Sequence, residues 1–202
     1  MPIRRGEPWG TVVPRPDGLV TVDDDAALAD TLEHGDPPPL ALAGGDLHRT
    51  LGRPRVGGPG SKVRRVPLDV LRCEIDGEPV TAVAHVVARR PGWLGWWRGP
   101  IRAVLNVGHV ADWDVAPNGH PGDGRAEVVD VDETMSVRQR WAARRRLPTG
   151  AHLPHPCIRL THRVEVTWDL DGSLEVHVDG RRRGRPRTVR VTVIPDAYEL
   201  HV

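Results

Sequence analysis

Asp-Gly dipeptides recur in this chain between runs rich in β-branched residues. Asp76-Gly77 separates Val63–Ile75 from Pro79–Ala88, and Asp171-Gly172 separates Arg163–Trp168 from Leu174–Val178. Asp-Gly readily takes positive φ at both central positions of a two-residue turn, so it joins neighbouring strands tightly and antiparallel. A chain punctuated in this way is committed to antiparallel sheet through most of its second half. Further strands are predicted at Ile101–Val107, Val110–Val115, Ala126–Val131, Thr188–Ile194 and Tyr198–Val202. One helix interrupts them, Ser136–Arg146, with Ser136 as N-cap and arginines at its end, closed by Pro148 and Gly150.

The first sixty residues read differently. Residues 1–22 are rich in Pro and Gly and form an extended arm with one short strand, Leu19–Val22. Asp23, Asp24 and Asp25 suit the positive end of a helix dipole, which predicts a helix over 25–34, stopped by Gly35 and three prolines. A buried strand follows at Leu40–Ala43, and Gly44-Gly45 turns the chain into a short helix, Asp46–Leu51. Gly52–Ser61 (GRPRVGGPGS) is a flexible connection and the natural internal boundary. The expected fold is α+β, mainly β: residues 61–202 as an antiparallel two-layer β-sandwich, preceded by a reduced α/β remnant and linker over 1–60.

Composition narrows the function classes. Apolar residues are 39%, with no Phe, so Val, Leu, Ala and the seven Trp must fill the core. Lys62 is the only lysine, and the surplus of Arg, Ala, Gly, Pro, Val and Asp fits a GC-rich bacterial genome, so the arginine content alone is not a functional signal. A net charge of +1 gives no electrostatic case for nucleic acid. Two cysteines, Cys73 and Cys157, read as reduced thiols. With neither a signal peptide nor a run of about 20 apolar residues, the expected location is the cytoplasm, any membrane contact being peripheral to the inner membrane.

The stretch Arg102–Asp132 carries the most specific pattern: strand, turn, strand, a Pro/Gly-rich loop holding Asn118, His120 and Asp123, then another strand. Such a loop can hold a hard cation or simply solvate itself. The run resembles a segment of bacterial diacylglycerol kinases and related lipid kinases. Asn106 matches the asparagine ending the first strand, Ala116-Pro117 the Ala-Pro, and Asp123-Gly124 the Asp-Gly of that pattern. The similarity continues through Thr149–His152 with His155–Ile158, through His177–Arg181, and through Val191–Leu200, so it covers 63–202. Upstream, Leu40–Pro54 resembles the family's interlobe segment at Asp46-Leu47 and Arg49–Gly52, with Gly45 where Asn is expected and His48 in place of Ala. Gly44-Gly45-Asp46 can also be read as the start of the family's phosphate loop, although Leu47-His48 stand where Gly-Thr should follow.

The resemblance implies the C-terminal lobe of the diacylglycerol-kinase type and a candidate site. Gly44, Gly45, Asp46, Arg49 and Thr50 are the implied nucleotide-binding residues for ATP. Asp123 and the backbone carbonyl of Arg125 are the implied Mg²⁺ ligands, with His120 or Gly122 where a further acidic ligand belongs. Asp179 is the implied base that activates a lipid hydroxyl, with Arg181 in place of the neighbouring Glu. Only residues 1–39 precede the first buried strand, where the family has a whole nucleotide-binding lobe.

Three further features stand outside that pattern. Trp93, Trp96 and Trp97 with Arg89, Arg90 and Arg98 either dip into a membrane interface or pack on the sheet. Arg144-Arg145-Arg146 either binds an anionic group or solvates a helix end. His152, His155 and Cys157 have zinc-like spacing, although the resemblance explains His152 without metal. The functional expectation is a truncated, non-catalytic lipid-kinase-like protein binding an anionic lipid or a nucleotide. The alternatives are a minimal ATP-dependent lipid kinase and a structural subunit; the implied partners are an anionic lipid or membrane surface, and a second copy or partner chain joined through the β lobe.

Overall fold

The computed structural model describes residues 9–202; the N-terminal Met-Pro-Ile-Arg-Arg and the start of the predicted arm lie outside them. Fifteen strands and three α-helices are present among the described residues. The first segment holds β1 (Thr11–Pro14), β2 (Val20–Val22), α1 (Asp25–Glu33), β3 (Leu40–Leu42) and α2 (Gly45–Thr50). The rest holds β4 (Lys62–Ile75), β5 (Glu78–Ala82), β6 (His85–Arg89), β7 (Ile101–Leu105), β8 (His109–Val110), β9 (Trp113–Asp114) and β10 (Ala126–Val131). After α3 (Val137–Arg146) come β11 (Ile158–Arg163), β12 (Glu165–Asp169), β13 (Glu175–Val178), β14 (Arg181–Gly184) and β15 (Thr188–His201).

The mainly β, two-layer expectation holds. One layer is the six-stranded antiparallel sheet β11-β10-β7-β6-β13-β14. The other is built on the long pair β4 and β15, flanked in its upper half by β5 and β12. Between them lies a core of Leu71, Cys73, Val86, Val104, Val128, Trp168, Val176 and Val191. The Asp-Gly turns behave as their chemistry dictates. Asp76, Asp171 and Asp179 sit at φ 50°, 49° and 45°, each followed by a glycine at positive φ, which matches the right-handed twist of the strands they join.

The lower halves of β4 and β15 extend beyond the sandwich and take up the N-terminal segment. β1 pairs with the start of β4, while β3 lies parallel to the end of β15 and β2 parallel to β3. A bulge between Ile194 and Tyr198 marks the change, so the two expected strands there are one bent strand. A second core, with Leu28, Leu40, Leu47, Val66, Leu68, Val107 and Leu200, fills this end. Hydrogen bonds to two shared strands therefore cross the boundary expected at residue 60.

Other departures have local causes. The predicted Pro79–Ala88 strand is two strands, because the chain leaves one sheet at Ala82 and enters the other at His85. Val110–Val115 is a small β8–β9 hairpin, with Ala111 at φ 51°. β14, made of Arg181–Gly184, pairs with β13 although its sequence shows no apolar alternation, since it is an edge strand exposed to water. The helix begins as predicted, with Ser136 and Gln139 closing a reciprocal capping box. Both cysteines are free thiols.

Asn106 ends β7 and is buried. Its Nδ2 donates to the carbonyls of Asp69 at 2.8 Å and Val83 at 3.0 Å, bridging β4 to the crossing between sheets. Asn106→Leu strands two buried acceptors, and the expected loss is about 2–3 kcal/mol of stability, measured by urea unfolding.

Candidate functional site

The N-terminal segment meets the β lobe at a buried acidic junction. Asp24 caps α1 by accepting from the N–H of Ala27 at 2.8 Å, which aims Asp25 inward from the first turn. The Asp25 carboxylate accepts from the N–H of Asp46 at 2.5 Å and of Leu47 at 3.2 Å, the free donors at the start of α2. Gly45, at φ 90°, is required here: a β-carbon would fall within the Asp25 carboxylate. The backbone groups that would wrap a phosphate thus already hold a carboxylate of the same chain.

Asp46 in turn serves the β lobe. One oxygen accepts from the N–H of Ala111 at 2.7 Å and from Arg49 at 3.0 Å; the other meets His85 Nε2 at 3.0 Å. Arg49 also pairs with Asp112 at 3.4 Å, and the Thr50 hydroxyl accepts from the N–H of His109 at 3.2 Å. Of the five implied nucleotide residues, Asp46, Arg49 and Thr50 hold the 109–112 hairpin and Gly45 accommodates Asp25.

Asp179 stands on the other side of His85. Its carboxylate accepts from three successive backbone N–H groups, Val83 at 2.8 Å, Ala84 at 3.0 Å and His85 at 2.8 Å. These are the groups that lose sheet partners where the chain changes layer, so the position implied as a base is the cap of that crossing. The structure therefore gathers Asp46 and Asp179 about one histidine.

The charges at the junction are interdependent. Burial pushes Asp25 up to about 7 and also raises Asp179. Burial opposes the charged forms of Asp46 and His85 as well, but their mutual hydrogen bond outweighs it: the Asp46 pKa is lowered and that of His85 is raised. His85 thus faces Asp46, Asp179 and Asp25, whose negative charge favours its protonated form.

Asp123 and Arg125 lie apart from this junction. Asp123 accepts from the N–H of Arg125 at 3.0 Å, capping its own turn. The neighbouring Asp69 accepts from Gly124 at 2.6 Å and Asp196 at 3.0 Å. His120 packs edge-on against Trp9, its pKa lowered by burial. Among the described residues no group of three or more His, Cys, Asp or Glu side chains is placed to hold a metal ion. The α2 N–H groups that an ATP phosphate would meet are held by Asp25, and the Asp123 carboxylate is engaged within its own turn. His155 Nδ1 accepts from the N–H of Cys157 at 3.1 Å.

The second feature is an apolar cavity of about 140 Å³ on the outer face of the six-stranded sheet. Val87, Leu105 and Val129 form its floor, Met135 and Ala143 a wall, and Trp96, Trp97 and Trp113 its cover. Arg140 fixes that cover, its buried guanidinium donating to the carbonyls of Met135, Trp96, Gly99 and Asp132. Arg144 lies over Trp97 at 5.4 Å and Trp113 at 5.0 Å, a cation held at the rim by two aromatic faces. His152 also lines the space. It is buried, its pKa lowered by that burial, and its ring bonds to the backbone of Val115 while Nδ1 has no partner.

The sequence reading missed this cavity, Asp25 and His85. The available signal was continuity. Val86-Val87-Ala88, Ala103–Leu105 and Val128-Val129 are apolar at consecutive positions, which marks strands covered on both faces.

Two outcomes test the junction. Asp179→Ala leaves three buried N–H groups unpaired and is expected to lose about 3 kcal/mol or more in urea unfolding; Asp179→Asn, which keeps an acceptor and tolerates positive φ, loses less. The pH dependence has a definite sign. Asp25 and His85 both bind protons more tightly folded than unfolded, so their contribution to stability is full at low pH. For Asp25 it fades from about pH 4 to about pH 7, and for His85 as pH rises above about 6.5. The melting temperature of Asp25→Asn is therefore expected to fall less than that of the parent between pH 4 and 7 (about, by the same pKa values).

No family sequence model and no curated protein matches the chain. Three solved structures from Bacillus anthracis str. Sterne, each carrying the name diacylglycerol kinase, do match. They superpose with TM-scores of 0.62, 0.58 and 0.59 at 14%, 14% and 12% identity. The match covers 90% of this chain and 75%, 76% and 77% of theirs. At that identity the likeness speaks to architecture: the chain has a diacylglycerol-kinase-like fold.

Proposed function

We propose that the chain is a non-catalytic lipid-binding protein built on a lipid-kinase-like fold. The observation that carries this reading is the apolar cavity with His152 in its lining and Arg144 at its rim. An apolar cleft of this kind favours a hydrocarbon group over water. His152, bonded through its ring to the backbone of Val115, contributes a fixed imidazole to the lining. Arg144, which pairs with no carboxylate among the described residues, suits an anionic group at the entrance. The ligand these groups would select is an amphiphile with a short hydrocarbon chain and a negative charge, such as a short-chain lysophosphatidic acid.

The acidic junction supports the non-catalytic half of the reading. Asp25 takes the α2 N–H groups, and both oxygens of Asp179 are engaged by backbone. Binding is followed through tryptophan emission, since Trp96, Trp97 and Trp113 cover the cavity. Short-chain lysophosphatidic acid below its micellar concentration is expected to shift that emission saturably. Arg144→Ala weakens binding about tenfold, and Val129→Phe, which fills the floor, abolishes it. Calorimetry with millimolar Mg²⁺-ATP is expected to give no heat. Heat that disappears in Asp46→Ala would instead favour phosphotransfer.

A further inference from the structure

We infer that the face formed by α3 and the Trp93–Trp96 turn is a docking surface for an anionic phospholipid bilayer. Five of the eight large apolar side chains exposed among the described residues belong to these two elements: Trp93 (73% exposed), Trp141 (53%), Leu94 (48%), Val137 (45%) and Trp96. Val137 and Trp141 are four residues apart and share one helix face. The two elements are joined by Arg140, which rises from α3 to the carbonyls of Trp96 and Gly99. The apolar groups are therefore presented on a braced surface.

Charge selects the partner. Residues 89–102 and 137–146 hold nine arginines and no acidic residue. The rest of the chain is left with 19 basic against 27 acidic residues, so positive charge is concentrated in these two segments, with Arg140 alone of α3's arginines buried. Among the described residues, Arg90, Arg98, Arg138, Arg144, Arg145 and Arg146 form no ion pair. Arg145 lies over Trp141 at 4.8 Å and Arg89 over Trp96 at 4.7 Å, each pairing a guanidinium with an indole. Trp and Arg with neighbouring aliphatic side chains are the groups a headgroup layer accommodates, the indoles and aliphatics entering the acyl boundary and the cations meeting phosphate. Aliphatic Leu94 and Val137 find no counterpart in the grooves of a nucleic acid, and the surface commits to a bilayer.

This inference is tested apart from the cavity reading through Trp93, Leu94, Val137 and Trp141, none of which lines the cavity. The test is sedimentation of the whole chain with vesicles of phosphatidylcholine, with and without phosphatidylglycerol, at low and high salt. Binding is expected only with phosphatidylglycerol and is expected to weaken with salt. Trp93→Ala/Leu94→Ala and, separately, Trp141→Ala should each reduce the partition coefficient by about tenfold. Arg138→Ala and Arg145→Ala should each reduce it by about fivefold. All these positions are exposed, so melting temperatures should match the parent. Equal binding to neutral vesicles, or binding that survives the Trp93/Leu94 and Trp141 changes, would overturn the proposal. So would a lipid-free dimer in sedimentation velocity that these changes dissociate, or tighter binding to RNA than to vesicles. Val129→Phe should dock as the parent does, which separates this result from the fate of the cavity reading.

Discussion

The carboxylate of Asp179 sits where the chain passes from one layer of the sandwich to the other. A strand that leaves a sheet gives up its ladder partners for a residue or two, and an unpaired N–H buried there is costly. Asp179 meets the whole deficit at Val83, Ala84 and His85 with one side chain. It can do so because it occupies a hairpin turn in the left-handed region, a conformation Asp tolerates better than most residues. Asn106 supports the same crossing from below, through the carbonyl of Val83. The orientation of β6, and with it the sheet that floors the cavity, follows from these two side chains.

The N-terminal segment is attached by the same economy. Asp46 reaches His85 and the N–H of Ala111, while Asp25 reaches the first N–H groups of α2. Each acidic group is thereby bonded twice or more, which is what makes its burial tolerable. The arrangement also fixes the hairpin of β8 and β9. That hairpin contacts α2 through His109 and Ala111, and lines the cavity through Val110 and Trp113. Two regions that share no side chain are thus separated by a single pair of short strands.

Much of this architecture was legible in the sequence, and the legible parts have local causes. The Asp-Gly turns, the Ser136 cap and the buried Leu40–Leu42 strand each depend on a few adjacent residues, so pattern suffices. The change of sheet after Ala82 was invisible because Pro79–Ala88 reads as one continuous apolar strand; only Asp179, nearly a hundred residues away, explains the break. Strand β14 was invisible for the opposite reason: an edge strand of arginines carries no burial signal. At the junction, Asp46 and Asp179 were picked out by resemblance to kinases. Asp25 and His85 were not, because nothing in their neighbours shows that α1 and α2 meet end to end.

The cavity was hidden by a subtler feature of the same strands. The sandwich needs only alternate positions of β6, β7 and β10, namely Val86, Ala88, Val104 and Val128. The intervening positions, Val87, Ala103, Leu105 and Val129, are equally apolar and form a separate core on the other side. A sheet that faced water there would expose a large apolar area, which soluble proteins avoid unless something covers it. The cover is a single ten-residue helix and a tryptophan-bearing turn, joined by Arg140, which donates to the carbonyls of Trp96 and Gly99. So small a lid packs the face incompletely, which leaves the cavity beneath it. For the same reason it cannot turn all its apolar groups inward, which leaves Trp93 and Trp141 in water. The cavity and the exposed tryptophans are two consequences of covering a broad apolar sheet with too few residues.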